Sequence, residues 1–409
     1  MLGFLQNYYN HHGGDIGVEL EILDTYDYDQ LPILNTLAKS YGVSDEWFSS
    51  IPSQTSINRA FSICGNSVGN MPTSMQGISE EMAMVNNHYM NDEYLPATFT
   101  GKTIWEVLSE SPDYHPADWK FYYSSKYLDG LFGTYEYSYS YYLFKGFQDL
   151  LKKPGMADKY QPIEQFYLDA QAGTLPRFSY LEPKYTNDLI GSVGMHGNDY
   201  HPPGNVAWGE KFLASLYAAV KGSPDWEDIL FVVAWDEHGG TFDHIIPPNK
   251  AVDPSPSVPH EDHFDFKRFG VRVPMLFISP WVKENTVIRS SSANTPFDHT
   301  SWLATLLDWF DLKPQLLGAR TKVAPKFDAV ISDCKRPATD LPPVWDCQSN
   351  SQLADIELSV RKAAEVARVM SAHDPSSDPL ALLKDSLQGA KTEKELASFY
   401  GQWMKQLNT

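Results

Sequence analysis

The 409-residue sequence predicts an α/β fold: a mostly parallel central sheet flanked by helices. Three observations carry that expectation. Four strand-length runs are apolar almost without alternation, as strands covered on both faces are. Helical stretches separate them, and parallel neighbours need such crossovers. Hydrophobic residues make up 42% of the chain and charged ones 21%, enough apolar material for a sizeable core.

The elements follow in order. TIWEVLSES opens with a capping-box spacing, Thr103 to Glu106, so a helix begins there. WKFYYSS, from Trp119, and RFSYLEP, from Arg177, read as buried strands. NVAWGEKFLASLYAAVKGSP repeats apolar residues at helical spacing and stops at Gly-Ser-Pro. DILFVVAWDE, from Asp228, and VRVPMLFISPW, from Val271, are the next two strands, and DHTSWLATLLDWFDL is the helix after them. From about Pro337 the texture changes. RPATDLPPVW reads as a linker. Beyond it Leu353, Ile356, Val360, Ala363, Ala364 and Ala367 recur at helical spacing, and Thr392 to Glu395 is another capping box. The division expected is 1–336 for the domain that carries the chemistry, and 337–409 for a Pro-rich linker with a C-terminal helical appendage.

The formal net charge of −20 argues against nucleic acid or an anionic membrane surface as a simple electrostatic partner. It also means that a phosphate-handling site must find local positive charge, for which a bound cation is the obvious source. Cys64, Cys334 and Cys347 make no disulfide framework; Cys334 and Cys347 could close one short loop, and both states stay open. No apolar run is long enough for a membrane span, and MLGFLQNYYN lacks a signal-peptide pattern; localisation stays open.

The chemistry concentrates in FVVAWDEHGGTFDHIIPP, Phe231 to Pro248. Ligands of parallel sheets bind beyond the carboxyl ends of the strands. This strand delivers Asp236 and Glu237 to that end, Gly239 and Gly240 allow a sharp turn, and Asp243 and His244 return toward the rim. Adjacent carboxylates repel unless a cation or proton lies between them, so a divalent metal ion is expected, its identity open. A second segment, SIPSQTSINRAF, puts Thr55 at a helix start with Asn58 and Arg59 one turn on. A hydroxyl there is an ordinary cap, but a helix N-terminus also receives anions. His201 precedes Pro202-Pro203 and a helix, and His299 opens a helix in FDHTS. Both are ordinary in isolation and become candidates beside an acidic strand end.

These blocks together, with LPRFSYLEP, FGVRVPMLFISPWV and FDHTSWLATLLDWF, resemble the phosphoesterase family, which holds phosphatidylcholine-type and non-specific phospholipases C and an acid-phosphatase branch. The resemblance runs from Gly3 to about Leu312. It implies an alkaline-phosphatase-like fold and metal-dependent hydrolysis of phosphate esters, of a small molecule or a phospholipid head group, through a hydroxyl nucleophile. Thr55 matches the nucleophile, itself held by the metal; Asn58 matches the family's Asn; Asp236 and Glu237 match the metal-binding acids; His201 matches a histidine near the phosphate. Asp243, His244 and His299 lie in matching blocks and are expected to bind phosphate or act as acid or base. Three departures stand out. Ile57 replaces a proline, and Ser124 stands where a histidine often follows WKxYY. No Glu-Asn-x-Ser-Phe-Asp-His motif precedes Gly3, so the chain is expected to lack the family's first strand and two metal ligands. An inactive, incomplete or degenerate member is the alternative this leaves. A remoter one is a serine esterase built on Ser67 in GNSVG, whose elbow lacks the strand it should follow.

Overall fold

Among the residues that this computed structural model describes, 25–69, 86–87, 99–124, 138–185, 197–202, 204–292 and 295–345, a three-stranded and a four-stranded sheet, with two two-stranded pairs beside them, stand in place of one sheet. In chain order the principal elements are α1 (Pro32–Ser40), β1 (Gly42–Ser44), β2 (Trp47–Phe48), α2 (Thr55–Cys64), α3 (Ile104–Ser109), β3 (Trp119–Tyr123), α4 (Tyr139–Leu143), α5 (Lys145–Leu151), β4 (Tyr160–Pro162), α6 (Ile163–Ala172), β5 (Phe178–Glu182), α7 (Ala207–Gly222), β6 (Phe231–Ala234), β7 (Met275–Ile278), β8 (Thr286–Val287), β9 (Phe297–Asp298), α8 (His299–Trp309) and α9 (Gly318–Val323). The four strands and three helices expected from the sequence all form, and the Thr103–Glu106 capping box closes as its spacing requires: the Glu106 amide donates to Thr103 Oγ1 at 3.3 Å and the Thr103 amide to Glu106 Oε2 at 2.8 Å.

The first sheet has order β4-β3-β5 and is parallel throughout. The second has order β8-β1-β7-β6; β1 and β8 run parallel, but β7 is antiparallel to both β1 and β6. The expected mostly parallel sheet is thus correct for the first and needs correction for the second. The physical reason lies in the β6–β7 connection. Among its described residues it contains only the 3-10 turn Glu261–His263 and no crossover helix, so the chain returns as an antiparallel neighbour.

Strand β3 shows how the layers are held. Trp119 and Phe121 point to one face, into a cluster with Trp105, Phe147 and Leu303; Tyr122 points to the other, against Phe166, Leu216 and Val220. That alternation is what a strand sandwiched between helix layers must show. Trp105 and Phe147 sit with ring centroids 4.3 Å apart, and Phe121 lies 5.3 Å from each of them. Such contacts add to the area term rather than replace it.

The Pro-rich stretch is docked as far as it is described: Tyr217 of α7 donates to the Pro342 carbonyl at 2.9 Å. The expected helical appendage and Cys347, whose pairing with Cys334 the sequence left open, lie outside the described residues, as do residues 1–24.

Candidate active site

The loop that leads into α2 is pinned from three sides. Asn58 is fully buried; its amide donates to the carbonyls of Ile51, Ser53 and Gln54 at 2.9–3.3 Å, and its Oδ1 accepts from the Ile51 amide at 3.2 Å. Buried Arg320 donates to the Ser50 carbonyl at 2.6 Å. Gly270 lies so close behind the loop that a Cβ there would stand 2.0 Å from Ser49 Oγ and 2.4 Å from the Ile51 carbonyl. The loop therefore presents Thr55, half-buried, at the first position of α2, facing a cavity of about 1670 Å³. The preceding residue, Gln54, makes no side-chain cap. The first amides of the helix are consequently left for a ligand, and with the helix dipole they favour an anion.

One turn on, Arg59 reaches back along the same helix face as Thr55. Its Nε donates to Asp236 Oδ2 at 3.1 Å and its Nη1 to Glu182 Oε2 at 3.3 Å. Glu182 ends β5, and Asp236 follows β6, so one guanidinium ties the carboxyl ends of two strands together. The Tyr185 ring lies 4.7 Å from the guanidinium carbon. Burial alone would push this guanidinium down, but the Tyr185 and Asp236 oxygens, with those of Tyr180 and Glu182, hold it well above its ordinary value, so it stays charged.

Glu237 accepts from the Gly239 amide at 2.7 Å. Burial, reinforced by the charge of Asp236, pushes its carboxyl up to about 7. Gly239 adopts φ +66°, and a Cβ on it would stand 2.8 Å from Pro202 Cδ. The glycine thus lets the Asp-Glu loop lie against the segment that carries His201. That segment is anchored by Tyr200, whose hydroxyl donates to buried Glu210 Oε1 at 2.6 Å. Glu210 also accepts from the Ile33 and Leu34 amides at 2.6 and 3.1 Å, which fastens α1 to α7. His201 faces the cavity; its Nδ1 donates to the Pro202 carbonyl at 2.6 Å, which leaves Nε2 for a ligand.

The structure therefore brings Thr55, His201, Asp236, Glu237 and His299 to the lining of one cavity and leaves Asn58, Asp243 and His244 outside that lining. Asn58, expected to reach a phosphoryl oxygen, braces the 51–54 backbone instead. Asp243 is held at both oxygens by Arg272, at 2.7 and 2.8 Å, and does not line the cavity. His244 points outward with its side chain 75% exposed. His299 is buried: the Trp47 indole donates to its Nδ1 at 3.4 Å, so Nε2 carries the proton and donates to the Asp236 carbonyl at 2.6 Å. Burial pushes its pKa down, so it fixes the Asp236 backbone as a neutral ring. Ser67 is fully buried beyond the helical α2 and Gly65, outside the cavity lining, which removes the nucleophile elbow. Glu182 escaped the sequence reading, although the strand-end rule that selects Asp236 selects it equally, as the last carboxylate of RFSYLE.

The described residues do not make a complete metal site. Asp236 and Glu237 are hard oxygen donors suited to a divalent ion, but Asp236 already faces Arg59. No three His, Cys, Asp or Glu side chains among the described residues converge closely enough to hold an ion.

Comparison with known proteins bears on the family and not on the individual site residues. The model of the phosphoesterase family matches residues 1–313. Non-specific phospholipase C3 of Arabidopsis thaliana is 30% identical over 406 residues, covering 95% of this chain and 69% of that protein. Non-specific phospholipase C1 of the same plant is 30% identical over 353 residues, 84% of this chain and 57% of that protein. Hemolytic phospholipase C of Pseudomonas aeruginosa is 23% identical over 314 residues, 70% of this chain and 39% of that protein. The chain thus spans from under half to about two-thirds of the relatives it matches. Among solved structures, a protein in the alkaline phosphatase superfamily from Vibrio parahaemolyticus aligns over 72% of this chain and 64% of that one, with a TM-score of 0.35 and 14% identity. At that distance nothing about the site follows from it.

Proposed function

The chain belongs to the phosphoesterase family, a family of phosphoric ester hydrolases that includes phospholipases C, and we propose that its own cavity hydrolyses phosphate esters with Thr55 as nucleophile. The carrying observation is the meeting of a pinned hydroxyl at a helix N-terminus, a buried arginine and a strand-end carboxylate pair around one cavity. The phosphoryl group would dock on the free amides of α2, beside Arg59. Thr55 Oγ1 attacks phosphorus, and its proton passes to the Asp236–Glu237 carboxylate pair. The bond from phosphorus to the alcohol breaks, and the leaving oxygen takes a proton from Nε2 of His201, which enters this step as the imidazolium with its Nδ1–H kept on the Pro202 carbonyl. Water then attacks phosphorus and gives its proton to His201; the Thr55 oxygen leaves and recovers the proton held by the carboxylates. The substrate class is a phosphomonoester or phosphodiester, a phospholipid head group included, in line with the names of the relatives. A divalent ion held by Asp236 and Glu237 belongs to this reading as an expectation; the described ligand set is half of a shell, and none of the steps above passes through it.

One observation favours a second reading. Arg59 already neutralises Asp236, as a cation would, so a protein that keeps the fold and binds phosphate without turnover also fits. Hydrolysis of p-nitrophenyl phosphate and p-nitrophenylphosphorylcholine separates the two. The first reading expects turnover that Thr55→Ala abolishes. Folded protein without turnover on either ester supports the second, and turnover that survives Thr55→Ala overturns the mechanism.

A further inference from the structure

Two arms of the candidate site part from a single strand pair. β2 and β9 run parallel, with Phe297 beside Trp47 and Asp298 beside Phe48. Beyond β2 the chain continues through Ser50 to Thr55 at the start of α2. Beyond β9 it enters α8 at His299, whose Nε2 donates to the Asp236 carbonyl at 2.6 Å. Buried Arg320 fills the fork between them. Its Nη1 donates to the Ser50 carbonyl at 2.6 Å and lies 3.7 Å from Asp298 Oδ2, so one nitrogen faces both arms. Its Nε donates to the Val252 carbonyl at 2.8 Å, and its Nη2 donates to the Phe266 carbonyl. The guanidinium carbon lies 4.8 Å from the centre of the Phe61 ring, alongside α2. The backbone that carries it is equally fixed: a Cβ on Gly65, at the end of α2, would stand 1.9 Å from the Leu317 carbonyl just before α9. Arg320 itself does not line the cavity.

We propose that Arg320 is a positioning residue: it clamps the Thr55 arm and the Asp236 arm at one separation, so that the hydroxyl and the carboxylate pair move together or not at all. Three points assign this role. The guanidinium is a rigid planar fork, and its donors meet carbonyls of three separate segments at Ser50, Val252 and Phe266; a lysine ammonium on a flexible stem cannot reach all three at once. Its acidic neighbour is itself built into the second arm. Asp298 caps α8, accepting from the Thr300 amide at 3.1 Å, so a shift of Asp298 carries His299 and the Asp236 carbonyl with it. The charge is also held in place. Burial pushes the Arg320 pKa down to about 10, so the group stays cationic at neutral pH, and a buried cation moves little from the oxygens that solvate it. The effect on turnover rests on the proposed phosphoesterase site; the coupling of the two arms does not.

The test reads amide exchange and turnover of p-nitrophenyl phosphate on the full chain in Arg320→Lys and Asp298→Asn, with Phe147→Ala as a core-destabilised control remote from both arms. The amides followed are those of Ile51 and Ser53 on one arm, bonded to Asn58 Oδ1 at 3.2 Å and the Ile51 carbonyl at 2.8 Å, and those of Glu237 and Gly239 on the other, bonded to Asp236 Oδ1 at 3.0 Å and Glu237 Oε2 at 2.7 Å. Arg320→Lys should speed exchange on both arms by about tenfold or more. It should also lower kcat by roughly a hundredfold, the cost of a small misplacement of reacting groups, while KM stays within about threefold. Asp298→Asn keeps the α8 cap through Oδ1 and should show the same joint pattern at a smaller size; it decides the matter if Arg320→Lys does not fold. Phe147→Ala should leave both arms and the kcat of the folded protein as they are. Faster exchange on the Ser50 side alone, equal loosening in Phe147→Ala, or an unchanged kcat in folded Arg320→Lys would each overturn the proposal. Should the parent protein show no turnover, the hydrolase reading fails and exchange alone judges the clamp: loosening of both arms upholds it, and loosening of one overturns it.

Discussion

Strands β3 and β6 have nearly the same sequence texture and meet different surroundings. Both are short, aromatic or β-branched and almost free of polar residues, the mark of strands covered on both faces. In β3, Trp119, Phe121 and Tyr122 are completely buried, with a strand on each side and helices above and below. In β6, Phe231, Val232 and Val233 are only half-buried and Ala234 is exposed, with one neighbouring strand among the described residues. The texture thus records the environment for which a strand is suited. The rim follows the same division. On the β3 side polar groups are matched, as where Asp169 receives Tyr122 at 2.7 Å and Gln165 at 2.8 Å. On the β6 side Asp236 and Glu237 stand adjacent, with one arginine between the two sheets.

Five substitutions sharpen or break this contrast. The largest effect is expected at the rim. Thr55→Ala should lower turnover by about a thousandfold or more while unfolding stays unchanged, because the half-buried hydroxyl makes no hydrogen bond among the described residues. Retained turnover would move the nucleophile elsewhere. Next, Arg59→Met should destabilise by about 3–5 kcal/mol in denaturant unfolding, since Glu182 would remain buried and unpaired. A neutral result would show that water replaces the guanidinium. Third, Phe147→Ala in the complete half should cost about 3–5 kcal/mol, against about 1 kcal/mol for Val232→Ala on β6. Equal costs would deny the contrast in burial. The smallest effect concerns acid. Burial pushes the Asp169 carboxyl up, but hydrogen bonds from Lys120, Tyr122 and Gln165 outweigh it and hold it below its ordinary value. A depressed acid adds stability above its unfolded pKa of about 3.9, and that stability is lost as pH falls through the folded value. Asp169→Asn should therefore remove a contribution of about 1 kcal/mol or less that the parent loses below about pH 4. Identical acid unfolding curves would contradict it.

Much of the fold was legible because it is local. Apolar runs mark β3, β5, β6 and β7, and Thr103, Glu106 and the Gly-Ser-Pro stop mark helix ends. The direction of β7 was not legible, since it depends on a connection whose length says nothing about its path. At the site, chemistry-bearing types were easy to find and their partners were not. Asp243 and Arg272 are distant in sequence, and no periodicity announces that they pair. Asn58 looks like a ligand contact by type, and only its four bonds to the 51–54 backbone show it to be a brace. His299 acts through Trp47 and the Asp236 carbonyl, both remote in the chain. Conversely, the helix start at Thr55 is a local signal, and α2 begins there; the nucleophile role came from the family resemblance and not from that position.

The most direct test of the central claim is acid quenching of the full chain during reaction with p-nitrophenyl phosphate, followed by peptide mass spectrometry across Ser44–Cys64. The account predicts a phosphoryl adduct on Thr55 in the parent protein and none in Thr55→Ala. Turnover without any adduct on that peptide, or an adduct on another residue, would contradict it.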